Sequence, residues 1–273
     1  MPGQSAGWDR VRLRLRSAAP ALYPPPPRPA ALLASPATAS ALLSAASRPS
    51  SCDVCRGPVR PGFSRCYQCG RHDLLGHGLL ADVVVPISYA IRGTPFADDL
   101  WRYKWWQAPS ASARASVLAL LLAFLADHGA CVWRRAGMPP PGRLAVVPTG
   151  AGRPGPHPLL RLVSPYLRLR ACPLAIRPGS QGRDLDLDRF RAGQSVAGGS
   201  VLLLDDTWVS GASAQSAAAA LKQAGARHVA VVVLGRHVNP EDPAAHLLLA
   251  GFAPARYDPS TCAVHWPAPY FSP

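Results

Sequence analysis

The chain predicts an α/β fold in which a parallel sheet is flanked by helices. Residues 200–204 (SVLLL), 212–224 and 228–234 (HVAVVVL) read as strand, helix and strand in succession, a βαβ unit. From residue 143 onward, short apolar runs alternate with helix-length segments. Those runs are almost continuously apolar, as expected of strands buried on both faces.

The remaining elements follow in order. Residues 82–89 (DVVVPISY) predict a strand. Residues 96–107 (FADDLWRYKWWQ) predict a helix with Phe96, Leu100 and Tyr103 on one face and Trp101 and Trp105 beside them. Residues 111–133 continue as helix, and the run from Val117 to Ala126 is too short to span a bilayer, so it reads as a buried helix. Pro139, Pro140 and Pro141 break the chain. Beyond them come a strand at 144–147, a Gly/Pro loop at 148–158, a helix at 159–170 and a short strand at 173–177. A polar excursion, 178–199, precedes the strand at 200. Gly225 suits the C-cap of helix 212–224, and the crossover is expected to be right-handed.

Composition bounds the function. The 273 residues carry a net charge of +14, from 29 basic and 15 acidic side chains. Such a surface suits nucleic acid or polyphosphate ligands. No secretory signal is evident, so the expected location is the cytoplasm, where cysteines stay reduced. The expected organisation is a disordered Pro/Ala/Arg-rich tail (1–50), a zinc ribbon (51–75), a helical hood or linker (76–141), the α/β domain (142–240) and a C-terminal extension (241–273).

The ribbon rests on Cys52-x2-Cys55 and, ten residues on, Cys66-x2-Cys69. Each pair is expected to form a tight turn pointing two sulfurs inward, with a small hairpin between them, giving the tetrahedral set that zinc prefers. An iron–sulfur cluster and a redox dithiol are the alternatives. Gly57 and Gly70 follow the pairs, where backbone N–H groups can bend toward sulfur. Metal binding would then supply most of the module's folding energy. Cys131, Cys172 and Cys262 read as buried or incidental; Cys262 and His265 have ligand-like spacing, with loop residues the favoured reading.

Asp205 and Asp206 follow the apolar run at 200–204 and precede the turn Val209-Ser210-Gly211-Ala212-Ser213. At the carboxyl end of a parallel strand, adjacent carboxylates can accept hydrogen bonds from the vicinal hydroxyls of a ribose. The turn offers successive N–H groups and two hydroxyls at a helix N-terminus, a site of monophosphate size. Gly211 lets the backbone approach the phosphate closely. Simple capping of the helix by Asp206 or Ser210 is the competing reading.

The stretch LLLDDTWVSGAS resembles the PRPP-binding signature of type I phosphoribosyltransferases. With the upstream four-cysteine ribbon, the chain is similar to the ComF/GntX-like group over roughly residues 50–237. The resemblance implies a type I phosphoribosyltransferase-like sheet and structural zinc. It also implies that PRPP binds with magnesium, its ribose on Asp205 and Asp206 as catalytic residues. The 5′-phosphate would lie on Val209, Ser210, Gly211, Ala212 and Ser213. The pyrophosphate would lie near Thr149, Gly150, Ala151, Gly152 and Arg153. Lys104 resembles the family's basic residue in an upstream helix. Transfer of a phosphoribosyl group to an acceptor is the implied activity. The family's usual segment after its first strand is replaced here by GRPGPHPLLRL, in which His157 is a candidate base by position and Trp208 is available to pack or stack. A PRPP sensor is one alternative. The other is an adaptor in DNA uptake that binds single-stranded nucleic acid or DNA-processing proteins through Trp101, Trp105 and Trp106 with Arg102 and Lys104. The acidic stretch Asp184 to Asp188 reads as a solvated loop or strand edge.

Overall fold

The apolar runs assemble into a five-stranded sheet in a computed structural model that describes residues 42–45, 50–105, 107–149, 155–180, 184–251, 257, 262 and 264. In chain order the elements are α1 (Tyr67–Leu75), β1 (Val83–Ile91), α2 (Pro95–Arg102), α3 (Ala111–Arg135), β2 (Arg143–Val146) and α4 (Pro158–Leu167). Then come β3 (Arg170–Ala171), β4 (Leu174–Ile176), β5 (Phe190–Ala192), β6 (Ser200–Trp208), α5 (Ala212–Gln223), β7 (His228–Val238) and α6 (Pro243–Ala250).

The sheet order is β1-β7-β6-β2-β3, and every pairing in it is parallel. The expected parallel α/β class is therefore observed. The segment 173–177 is not part of this sheet: β4 pairs antiparallel with β5, which arises inside the excursion at 178–199. The sheet also draws an outer strand, β1, from the segment upstream of the proline cluster.

Alternation along the strands sorts side chains into two cores. Leu202 and Leu204 of β6, with Ala230, Val232 and Leu234 of β7, face α2, α3 and α4 through Leu100, Val117, Leu121 and Leu159. Val201, Leu203, Val229, Val231 and Val233 face the other way, onto Ala214, Ala217, Ala218 and Leu221 of α5 and onto Cys52, Cys55 and Cys69. The alanines of α5 let the helix lie close to the sheet. Helix α3 is long and apolar enough to cross a membrane, but most of its apolar stretch is buried on the sheet, as expected of a core helix.

The outer edge of β1 is covered. Tyr89 N–H donates to the Leu43 carbonyl (2.9 Å), Ala45 N–H donates to the Ile87 carbonyl (3.2 Å), and Ser44 bridges Ser88 antiparallel. These four residues of the segment read as a tail lie extended against the sheet and close an edge that would otherwise invite pairing. The rest of the tail, residues 1–41 and 46–49, lies outside the described residues.

Candidate functional site

Strand β6 is longer than the apolar run that predicts it. Asp205, Thr207 and Trp208 keep ladder partners at Val233, Gly235 and Arg236, so the two acids sit inside the strand rather than after it. Successive residues then point to opposite faces, and the two carboxylates are held by different surroundings.

Asp206 is buried at 7% exposure on the helix-layer side. Its Oδ2 accepts from the Tyr103 hydroxyl (2.7 Å) and from Lys104 Nζ (2.8 Å). Both donors come from the end of α2, where the helix stops at Arg102 and the chain turns. Burial alone would raise the Asp206 pKa. The Lys104 charge and the two hydrogen bonds outweigh it and hold the carboxyl below its usual range, with His157 adding to the effect. Among the described residues Asp205 forms no ion pair, and Lys104 lowers it only in part. Burial, and then repulsion from Asp206, push it up to about 8. The pair therefore carries one firmly held charge and one that titrates near neutrality.

The turn after β6 leads into α5, as expected. Gly211 adopts φ +83°, a left-handed conformation that favours glycine, and serves as N-cap of α5. A Cβ there would collide with the Trp208 ring, so no side chain fits without displacing the indole. Ala212 N–H donates to Ser210 Oγ (3.3 Å), while Gln215 N–H reaches the Gly211 carbonyl (2.9 Å). Val209 is exposed at the tip. Trp208, 1% exposed, packs beneath the turn and is not available to stack on a base. Arg189 Nη1 reaches Ser213 Oγ (3.2 Å) from the segment before β5, bringing a buried guanidinium to the start of α5.

Thr149 lies three residues past Val146, which pairs with Leu204, so it shares the carboxyl end of the sheet with the acids. Gly150, Ala151, Gly152 and Arg153 lie outside the described residues, as does Trp106. His157 is not posed as a free base: its Nδ1 accepts from Leu159 N–H (3.1 Å) and caps α4. Trp101 and Trp105 are exposed, with ring centroids 3.9 Å apart, beside the residue that holds Asp206.

The four cysteines converge. Their sulfurs lie within 4.8 Å of one another, and Cys55 and Cys66 are 3.8 Å apart. Zinc–sulfur bonds of about 2.3 Å in a tetrahedron place sulfurs about 3.8 Å apart, the Cys55–Cys66 separation, so the donor set fits zinc. The first pair forms the expected turn, closed by Arg56 N–H to the Cys52 carbonyl (2.9 Å) with Arg56 at φ +58°. The second pair departs from expectation: Cys66 is the N-cap of α1 and Cys69 lies in its first turn, so the helix N-terminus faces these sulfurs. Hydrogen bonds from Cys52, Cys66 and Cys69 hold the Cys55 thiol well below its ordinary value, while Cys66 and Cys69 are pushed up.

Gly57 has a different role from the one expected. The Arg236 guanidinium occupies the space a Cβ would need. Arg236, 8% exposed, donates through Nη1 to the Trp208 carbonyl (3.1 Å) and also to the His237 carbonyl. Burial works against its charge, and the Cys55 thiolate more than offsets that. Gly70 faces open space. Arg236, Tyr103 and Arg189 are the site residues that sequence reasoning missed. A lone arginine inside an apolar strand (VVVLGRHV) was the available signal for the first.

No family model matches the chain, and no curated protein matches it. Among solved structures it is similar to a purine phosphoribosyltransferase from Pyrococcus horikoshii Ot3, at 14% identity and TM-score 0.27 over 44% of this chain and 87% of that one. It is also similar to a hypoxanthine phosphoribosyltransferase from Staphylococcus aureus, at 10% identity and TM-score 0.30 over 47% and 76% of the two chains.

Proposed function

We propose that the chain is a ComF-like type I phosphoribosyltransferase of the cytoplasm, with a structural zinc ribbon, that binds PRPP with magnesium. The observation that carries this reading is the placement of Asp205 and Asp206 at the end of β6, directly before the Gly211 turn and the α5 N-terminus. The carboxylates accept from the ribose hydroxyls, and the N–H groups of the turn with Ser210 and Ser213 hold the 5′-phosphate. Lys104 and Tyr103 fix the Asp206 carboxyl. Thr149, with Gly150 to Arg153 following it in sequence, takes the pyrophosphate side. Magnesium bound with PRPP would offset charge on the leaving pyrophosphate. Positioning and electrostatics then favour transfer of the phosphoribosyl group to an acceptor. Without an acceptor reaction, the same site serves as a PRPP sensor.

Calorimetric titration of PRPP with magnesium into the wild type and into Asp205→Asn/Asp206→Asn tests the reading. Binding by the wild type and its loss in the variant are expected. A wild type that does not bind PRPP overturns both enzyme and sensor. Pyrophosphate release across a panel of nucleobases then separates those two.

The exposed Trp101–Trp105 pair favours one second reading, an adaptor that stacks single-stranded nucleic acid. It requires salt-dependent binding of single-stranded DNA that falls in Trp101→Ala/Trp105→Ala.

A further inference from the structure

A second group of soft donors lies on the opposite face of the sheet from the four cysteines. His128 and Cys131 occupy one face of α3, three residues apart, and Cys262 comes from the C-terminal segment. Their ligand atoms lie within 4.8 Å of one another. His128 is 8% exposed and Cys262 4%, so an ion held here would be largely shielded from water.

Two further contacts suit a thiolate–imidazole centre. Val264 N–H donates to Cys262 Sγ (3.4 Å), a backbone hydrogen bond from two residues downstream that stabilises charge on sulfur. The Phe124 ring sits 5.5 Å from the His128 ring and limits its orientation. Tyr257, Cys262 and Val264 are buried in the same core as Val132 and Leu125 of α3. Three protein donors with water in the fourth position form a recognised zinc set.

We propose that His128, Cys131 and Cys262 form a second zinc site that staples the C-terminal segment to α3, independent of the four-cysteine site. Two thiolates and an imidazole select zinc over the hard divalent cations. The ion bridges a helix near the middle of the chain to a segment over a hundred residues later, closing a long loop.

The test is zinc stoichiometry on the full chain, expressed with zinc and kept under reducing conditions, by native mass spectrometry. Two zinc ions are expected for the wild type and one for His128→Ala/Cys262→Ala. X-ray absorption on the unaltered protein provides a readout that needs no variant. One four-sulfur and one two-sulfur centre average about three sulfurs per zinc, against about four for the ribbon alone. A single zinc with four sulfurs in the wild type overturns the proposal. So does retention of both ions by the double variant, or a Cys131–Cys262 disulfide in place of the second ion. None of these readouts depends on PRPP binding.

Discussion

The two ends of the candidate site are braced in different ways. Asp206 is held from the helix layer by Tyr103 and Lys104, groups that the polypeptide supplies complete. The Gly211 turn is held from the other layer, where Trp208 underlies Gly211 and Arg236 ties the Trp208 carbonyl to the cysteine cluster. The second brace contains a buried cation whose counter-charge is the Cys55 thiolate. It depends on the charge of the cysteine cluster, whereas the first brace is complete by itself. The contrast implies that loss of the cysteine cluster's charge damages the turn before it damages the acids.

Breaking the cysteine-dependent brace should give the largest effect. Cys52→Ser/Cys55→Ser leaves Arg236 buried without its anion, and stability should fall by about 3–5 kcal/mol, read by denaturant unfolding. Chelation of the proposed zinc should act in the same direction and weaken PRPP binding, because the turn loses its support.

Breaking the other brace should act mainly on the ligand. Asp206→Asn should weaken PRPP binding about 100-fold, equivalent to about 2.7 kcal/mol, and also strand the Lys104 charge. Lys104→Met should cost about tenfold in the same titration. Tyr103→Phe removes one hydrogen bond and should cost about 1 kcal/mol of stability.

The carboxylate pair sharpens the comparison through pH. A folded pKa raised to about 8 means that the native state binds more protons than the unfolded chain between about pH 4 and pH 8. Stability of the ligand-free protein should therefore be favoured below that window and be lost as pH rises toward 8. PRPP affinity should move the opposite way, since an ionised Asp205 is the better acceptor. Asp205→Asn should flatten both trends and raise the melting temperature at pH 8 by about 3–6 °C. The smallest effect belongs to the exposed surface: Trp105→Ala should change stability by less than about 0.5 kcal/mol.

What was legible in the sequence follows from range. The parallel α/β class, the helices α3 and α5, and the clustering of Cys52, Cys55, Cys66 and Cys69 are written in local periodicity and spacing, and all are observed. The extension of β6 through Asp205 to Trp208 was not legible, because charged residues read as loop until β7 is known to pair with them. Tyr103 was read as a packing residue, and it is buried. Its hydroxyl finds Asp206 across 103 positions, which no window on the sequence contains. Arg236 was missed because its meaning depends on Cys55 and Trp208, which come from separate parts of the chain. The β4–β5 pair was misplaced because a three-residue apolar run carries no signal of its pairing partner.

A crystal structure of the chain with PRPP and magnesium is the most direct test of the assignment of the β6 end to ribose and the turn to phosphate. The expected result is ribose hydroxyls within hydrogen-bond distance of Asp205 and Asp206, with the 5′-phosphate at the N–H groups of Ser210 to Ser213. PRPP bound elsewhere, or its absence from this crevice at saturating concentration, would contradict it.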